Sequence, residues 1–375
     1  MDLPAIRRFF PILGHCTYLN SCSLGALSLP AERRLQEFTA LWHTRGASAW
    51  YDQWLGTLEE LREGVAGLVH ARPDEVALLP STSTALAVVA ESMDWSRRNR
   101  VVTTELDFPT LVYQFYARPD VEVVMLRSED GVSIHPDQFA EAVDERTALL
   151  ATSHVFFATG ARQDLSALAG IARNAGAVSL IDGYHGVGQL DVDIPATGVD
   201  AYTTGPLKWL CGGPGLSYLY VREERIREWE PPITSWFAHA RPFDFDVEHF
   251  VRPDHARRFE MGTPALPTVH TALGGQEVVE SVGLPAIEAR NAGLARHLEE
   301  KLHAAGFQLR MADDPSRRTA IVMVAHRRPA ETVTALAAQG IIVDHRPGHI
   351  RVSPHFYNLQ EELDRFVEVL AALPR

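Results

Sequence analysis

The sequence has 375 residues, 46% of them hydrophobic and 22% charged, and its 35 basic and 48 acidic side chains give a formal net charge of −13. This length predicts two domains, or one large domain with a smaller companion, and the hydrophobic content is enough for a sizeable core. Because an acidic chain repels phosphate backbones and anionic lipid, the composition argues against nucleic-acid and membrane-surface partners.

The cysteines and the first residues indicate the compartment. Cys16, Cys22 and Cys211 form neither a disulfide framework nor a C-x-x-C pair, which suits a reducing environment. The start, MDLPAIRRFFPILGHC, has an acid and prolines where a signal peptide needs an apolar run. No run approaches the roughly 18 uninterrupted apolar residues that a transmembrane helix needs. We therefore expect a cytoplasmic protein.

The N-terminal part of the chain predicts helices. After a short first segment, LSLPAERRLQEFTALWHTR has helical apolar spacing behind a Ser/Pro start. The run LGTLEELREGVAGLVHA is a second amphipathic stretch.

Between Glu75 and Asp254 short β-rich runs alternate with helical ones. The predicted strands lie in EVALLP, RVVTTEL, EVVMLR, ALLATSHV, AVSLIDG, AYTTGP and GLSYLYV. Helical runs such as STSTALAVVAESM, FPTLVYQFYA and LSALAGIARNAG lie between them. This alternation predicts an α/β fold with a mostly parallel sheet and helices on both faces.

From about Leu266 the pattern changes to a long helical stretch, two strands in TAIVMVAH and HIRVSP, and a final amphipathic helix in LQEELDRFVEVLAAL. We interpret this part as a smaller α+β domain, joined to the large one near Arg252–Pro267. The expected division is an N-terminal segment at 1–25, a large domain at 26–255 and a small C-terminal domain at 256–375.

Lysine is nearly absent from the chain, which contains Lys208 and Lys301 alone. Lys301 lies beside the apolar stripe of a charged helix, so we expect it at the surface. Lys208 lies between a strand end and a glycine-rich turn, in TTGPLKWLCGGPG, where backbone can approach a ligand closely.

Other reactive side chains follow the predicted strands. Asp182 ends AVSLID and is followed by His185, Thr82 and Ser83 begin a helix, and Phe108 follows VVTTELD. Ligands of open α/β sheets bind beyond the carboxyl ends of the strands, and a helix start suits a phosphate. A lysine, a buried acid, a phosphate cradle and an aromatic ring are the parts of a pyridoxal-phosphate site.

The run from Ser153 to Val221 resembles the core of fold-type-I pyridoxal-phosphate enzymes of the class-V aminotransferase family, which includes kynureninases, cysteine desulfurases and transaminases. Similar motifs elsewhere are YLNSCSLGAL, DFPT, SWFAHARPF, RFEMGTP and IRVSPHFYNLQEELDRF. The resemblance covers nearly the whole chain.

The resemblance implies pyridoxal 5′-phosphate as cofactor, Lys208 as the Schiff-base lysine and Asp182 as the partner of the ring nitrogen. It places Phe108 on the ring and His185 at the phenolic oxygen or the substrate. Further implied contacts are Thr82, Ser83 and Thr204 at the phosphate, Ser153 near the ring, Trp236 and Thr263 across a homodimer interface, and Arg351 at the substrate α-carboxylate.

The motifs favour kynureninase-like cleavage of a side-chain bond in a small α-amino acid. Three departures argue against fixing kynurenine as the substrate: Leu207 replaces the usual tyrosine before the lysine, Leu111 replaces an acid after FPT, and GTP replaces an asparagine motif. A desulfurase needs a cysteine on a small-domain loop, yet none follows Cys211. A transaminase uses the same lysine, aspartate and arginine and is the main alternative.

Two further hypotheses are less favoured. A non-catalytic cofactor-binding protein would not need Lys208, Asp182 and Arg351 together. A zinc pair at His345 and His349 would need a helix, which Pro347 and Gly348 interrupt, so we expect no metal site.

Overall fold

The computed structural model describes residues 2–374. Its helices are α1 (Leu3–Arg7), α2 (Leu29–Arg45), α3 (Leu55–Leu68), α4 (Thr82–Glu91), α5 (Pro109–Tyr116), α6 (Pro136–Ala142), α7 (Leu165–Ala175), α8 (Ile194–Thr197), α9 (Glu223–Glu228), α10 (Leu266–Val282), α11 (Leu284–Ala304), α12 (Pro329–Ala338) and α13 (Gln360–Ala372). Its strands are β1 (Thr17–Tyr18), β2 (Val76–Leu79), β3 (Arg100–Thr104), β4 (Glu122–Leu126), β5 (Thr147–Ser153), β6 (Val178–Asp182), β7 (Ala201–Thr204), β8 (Ser217–Val221), β9 (Leu309–Arg310), β10 (Val322–Ala325), β11 (Ile341–Ile342), β12 (Asp344–Arg346) and β13 (His349–Val352).

The main sheet has seven strands in the order β2-β8-β7-β6-β5-β3-β4. The pairs β4–β3, β3–β5, β5–β6 and β6–β7 are parallel, while β8 runs antiparallel to both of its neighbours. Strands β5 and β6 are buried along their whole length, as expected when helices cover both faces of a parallel sheet. The predicted α/β fold with a mostly parallel sheet is confirmed.

Side-chain caps begin two of the helices that follow strands, α4 and α7. Ser81 accepts a hydrogen bond from the amide of Thr84 at the start of α4, and Asp164 accepts one from Ala167 at the start of α7. Gly176 ends α7 with a φ of +70°, a conformation that glycine adopts without strain. The cap at Ser81 places the start of α4 directly beyond the end of β2.

A second, antiparallel sheet has the order β12-β13-β10-β9, and α11, α12 and α13 pack near it. The smaller α+β unit is therefore present. Helix α10 packs against α2 and α3, and β1 pairs in parallel with β11 as a separate two-stranded sheet, so the N-terminal segment contacts the C-terminal part of the chain. The domain boundary at 255/256 stays a prediction.

The long predicted helical stretch after Ala265 is two helices, because Gly283 separates α10 from α11 with a φ of +83° and Pro285 follows in the first turn. None of the helices described between residues 2 and 374 has the length and apolar character needed to cross a bilayer.

Candidate active site

A cavity of about 290 Å³ opens where the strands of the main sheet end. Its lining includes these residues that the sequence singled out: Thr82, Ser83, Phe108, Ser153, Asp182, His185 and Lys208. They converge because each follows or ends a strand of one sheet, and the carboxyl ends of parallel strands meet at one edge.

Lys208 lies within reach of two neighbouring side chains. Its Nζ is 2.8 Å from Nε2 of His185 and 4.9 Å from the centre of the Tyr184 ring. Burial lowers the pKa of Lys208 to about 8, against the opposing effect of the Asp182 charge, and Arg351 and Arg346 lower it further. The amine is therefore partly neutral, and hence nucleophilic, near physiological pH.

Trp209 determines which ring nitrogen of His185 carries the proton. The indole N–H of Trp209 donates to Nδ1 of His185 over 3.3 Å, and because indole only donates, that nitrogen must accept. Burial, followed by the charges of nearby cations, holds the pKa of His185 well below its usual range, so the ring is neutral. Its proton then lies on Nε2 and points to Lys208, an arrangement that favours the neutral amine.

Asp182 ends β6 in a buried position, where its Oδ1 accepts a hydrogen bond of 3.0 Å from the amide of Tyr184. Burial raises the pKa of Asp182 to about 6, although this hydrogen bond and the Lys208 charge both lower it. A cationic ring nitrogen beside this desolvated carboxylate would neutralise the charge of Asp182.

The start of α4 offers donors for a phosphate. Thr82 and Ser83 are the first residues of this helix, and the first amides of a helix have no partner within it. Ser217 connects this end to Thr204: its hydroxyl lies 3.4 Å from that of Thr82 and donates to the Thr204 carbonyl over 2.7 Å. Thr204 does not line the cavity, but its buried hydroxyl has no partner among the described residues. The donors present therefore fit the phosphate of pyridoxal 5′-phosphate.

Asp107 is a site residue that was not predicted from the sequence, although it lies in the quoted DFPT motif. Its buried carboxylate accepts hydrogen bonds from the amide of Thr104 at 2.9 Å and from the amide of Ser153 at 2.6 Å. It thereby joins the ends of β3 and β5 and fixes the neighbouring Phe108. Burial raises the pKa of Asp107.

Aromatic rings form one wall of the cavity. Phe108 is 44% exposed and meets Phe157 edge to face, with ring centres 5.2 Å apart. Phe157, Thr110 and Tyr184 also line the cavity and were missed from the sequence. Phe108 is therefore free on one side to stack on a ligand.

Besides Thr204, three predicted residues lie outside the cavity lining: Trp236, Thr263 and Arg351. Trp236 is 41% exposed and its ring contacts those of Phe243 and Phe245. Thr263 lies in a loop anchored by Glu260, whose carboxylate pairs with the buried Arg62 over 2.6 Å. Neither Trp236 nor Thr263 contributes to the cavity of its own chain.

Arg351 is buried and already paired. Its guanidinium donates to the Phe157 carbonyl at 3.0 Å, to the Ser23 hydroxyl at 2.7 Å and to the Asp344 carboxylate at 2.7 Å. Phe157 is a wall of the cavity, so Arg351 lies directly behind that wall.

The N-terminal segment also reaches the site. The amide of Gly25 donates to the Leu207 carbonyl over 2.8 Å, and a Cβ at Gly25 would lie 2.0 Å from the Lys208 carbonyl oxygen. A side chain at this position would therefore displace the lysine turn.

Cys22 and Cys211 are buried free thiols near this turn. Burial raises the pKa of Cys211 to about 12, which makes it a poor nucleophile. Within residues 2–374 no group of three His, Cys, Asp or Glu side chains is placed to hold a metal ion.

The comparisons with known proteins agree with this geometry. The family model for aminotransferase class-V matches residues 32–366. An uncharacterized aminotransferase, YcbU of Bacillus subtilis, is 31% identical over 98% of this chain and 96% of its own length. A kynureninase of Bacillus cereus is 27% identical over 94% of this chain and 87% of its own length.

Among solved structures, the apo cysteine desulfurase of Thermococcus onnurineus superposes with a TM-score of 0.88 at 21% identity, covering 98% of this chain and 97% of that one. A lysine-to-alanine mutant of C-DES, with glycine covalently linked to its PLP cofactor, superposes with a TM-score of 0.90 at 19% identity, covering 98% and 99%. These likenesses concern the fold.

The chain belongs to the aminotransferase class-V family. It is an enzyme, and its cofactor is pyridoxal 5′-phosphate, as the sequence predicted.

Proposed function

We propose that this class-V enzyme acts on a small α-amino acid and cleaves a bond of its side chain, the reaction that its resemblance to kynureninases favours. The observation that carries the proposal is the position of Lys208, whose Nζ lies 2.8 Å from Nε2 of His185 in a cavity that Asp182 also lines. The similarity to kynureninases over 94% of the chain supports the choice of reaction.

In this proposal, residues at the ends of several strands would hold the cofactor. Asp182 would hold the ring nitrogen, the start of α4 with Thr82, Ser83 and the adjacent Thr204 would hold the phosphate, and Phe108 would cover the ring. His185 and Ser153 would contact the remaining polar edge. Pyridoxal 5′-phosphate supplies an aldehyde for covalent attachment and a ring that withdraws electrons from the substrate.

Lys208 has two tasks in this proposal. Its Nζ would be the nucleophile that holds the cofactor, and the same atom would accept the proton from Cα of the amino acid. His185 keeps the amine neutral by donating from Nε2, while the phenyl wall of Phe108 and Phe157 limits access of water. Arg351 would receive the α-carboxylate.

Tyr184 provides an aromatic ring beside Lys208, although the chain lacks the tyrosine that usually precedes this lysine in kynureninases. Leu207 occupies that position in sequence, but the Tyr184 ring lies against Lys208 from the neighbouring strand end. A phenol is thus present beside the lysine, which weakens the departure from kynureninases as an objection.

Transamination is the second candidate, favoured by the aminotransferase relative at 31% identity. Persulfide chemistry is disfavoured because Cys22 and Cys211 are buried and no cysteine follows Cys211.

The test is an amino-acid panel, including L-kynurenine, given to the holoenzyme with and without a keto acid. Cleavage releases a side-chain fragment without a keto acid, whereas transamination needs one and leaves the carbon skeleton intact. Borohydride reduction followed by peptide mapping should find the pyridoxyl group on Lys208. A Lys208→Ala variant with full activity would refute the assignment.

We also propose a homodimer with Trp236 and Thr263 at the interface. The segment around Trp236 exposes a group of apolar side chains, with Phe245 at 66% and Val247 at 97% exposure, as expected of a surface that another subunit covers. Light scattering of the wild type and of Trp236→Ser tests this. The free thiols support a cytoplasmic location.

A further inference from the structure

The residue opposite Arg351 is an acid held by two arginines. Asp344 on β12 and Arg351 on β13 are direct cross-strand partners, so their side chains project from the same face of the sheet. The same oxygen, Oδ2 of Asp344, accepts from Arg351 at 2.7 Å, from Arg346 at 2.9 Å and from Ser23 at 2.8 Å. One carboxylate is therefore shared between two guanidinium groups.

Asp344 covers Arg351 from solvent. The Arg351 side chain is 2% exposed, whereas those of Asp344 and Arg346 are 25% and 27% exposed. Arg346 also lies over the ring of Phe157 at 5.7 Å, and the Phe157 carbonyl accepts from Arg351. The ion-pair cluster Ser23–Asp344–Arg346–Arg351 thus adjoins the cavity through Phe157.

The charge on Asp344 is permanent at neutral pH. Burial raises its pKa, but the Ser23 hydroxyl and both arginines outweigh this and lower the pKa to about 2. A carboxylate that reaches Arg351 therefore meets a guanidinium that already holds a carboxylate, and a charged guanidinium binds either one in the same way.

We propose that Asp344 is an internal competitor for the substrate carboxylate: an incoming carboxylate displaces it from Arg351, and Asp344 stays paired with Arg346. The proposal rests on the proposed role of Arg351 in substrate binding. In this proposal Asp344 and Arg346 set the affinity for the substrate, although neither side chain has to contact it. The exchange breaks the pair between Asp344 and Arg351 and forms a pair between Arg351 and the substrate carboxylate, so it is reversible. Arg346 still neutralises Asp344.

The probe is 2-methylalanine, which has a carboxylate and an amine but no α-hydrogen, titrated into the holoenzyme by calorimetry. Asp344→Asn should lower its Kd about tenfold, the size expected for removing one competing charged hydrogen bond. The amide of 2-methylalanine, which lacks the carboxylate, should bind both proteins equally. The control for the change in net charge is Glu331→Gln. Glu331 lies on α12 and forms an exposed ion pair with Arg328.

Arg346 gives the second arm of the test. Arg346→Gln should raise the Kd of 2-methylalanine in the wild-type background, because Asp344 then has Arg351 as its remaining arginine. In the Asp344→Asn background the same change should have no effect. An equal loss in both backgrounds would show that Arg346 contacts the substrate directly and would overturn the proposal.

Failure of this proposal is distinguishable from failure of the proposed function. If Arg351→Gln binds 2-methylalanine as well as wild type does, the role of Arg351 is wrong. If Arg351→Gln loses binding but Asp344→Asn weakens it or leaves it unchanged, Asp344 positions Arg351 and does not compete. Absence of binding to both wild type and Asp344→Asn also overturns the proposal. Thermal unfolding of each variant checks that it is folded.

Discussion

Lys208 in the apoprotein should titrate far below an ordinary lysine. Its pKa of about 8 arises from burial, whereas a solvated lysine titrates near about 10.4. At pH 7.4 the amine is then about one-fifth neutral, compared with about one-thousandth for the solvated side chain. The difference between these two pKa values corresponds to about 3 kcal/mol of destabilisation of the ammonium form. Folding imposes this free energy before any ligand is bound.

The near absence of lysine makes this measurable. Because Lys301 is the one other lysine, a Lys301→Arg variant labelled with ¹³C at lysine Cε gives a single titrating NMR signal. Its midpoint should lie near 8 in folded apoprotein and near about 10.4 in urea. Asp182→Asn should lower the midpoint further, since the charge of Asp182 raises the pKa of Lys208. A folded-state midpoint above about 10 would show that burial does not lower the pKa of Lys208.

The same pKa has a consequence for stability, with a definite sign. Between pH 8 and about 10.4 the unfolded chain binds more protons at this lysine than the folded one, so this group makes stability rise with pH across that window. Below it, the folded protein carries a buried charge. Lys208→Met should therefore stabilise the apoprotein at pH 7, by up to about 3 kcal/mol, and the advantage should vanish towards pH 10.4.

The remaining predictions concern the surroundings of the lysine. Trp209→Phe removes the donor to His185 Nδ1, so the pKa of Lys208 should rise in the same NMR titration; an unchanged value would contradict the tautomer assignment. Gly183→Ala places a Cβ 1.8 Å from Cζ of the buried Tyr202 and should cost about 1–3 kcal/mol in urea unfolding; full stability would show that the ring can move. Ellman's reagent should modify at most the partly exposed Cys16 in folded protein and all three thiols in urea; rapid reaction of a second thiol would reopen thiol chemistry.

The strands of the main sheet could be predicted from sequence, but their arrangement could not. Each β-rich run between Glu75 and Val221 forms a strand, and the fully buried parallel strands β5 and β6 come from runs that are mostly apolar. The antiparallel direction of β8 and the pairing of β1 with β11 have no comparable pattern. Strand burial depends on local composition, whereas the choice of partner depends on contacts between distant segments.

The cavity residues were predicted to the extent that they follow strand ends. Lys208, Asp182 and Phe108 meet for that reason. Asp107 was missed although it lies beside Phe108, because an acid after a strand is usually a turn residue, and its hydrogen bonds to β5 exist only in the folded sheet. Asp344 was missed because, in a chain so rich in arginine, nothing in sequence indicates which arginine it pairs with.

The cluster around Asp344 and the titration of Lys208 are connected by charge. Arg346 and Arg351 both lower the pKa of Lys208 and of His185, so neutralising these arginines matters to the amine as well as to the substrate. When a substrate carboxylate takes the place of Asp344 on Arg351, Asp344 stays paired with Arg346, so the cluster changes from two cations with one anion to two cations with two anions. Because both arginines lower the pKa of Lys208, the added anion opposes their effect and makes the amine a stronger base towards the proton at Cα. An internal carboxylate would thus weaken substrate binding, while the substrate carboxylate would complete the charge balance of the arginine pair.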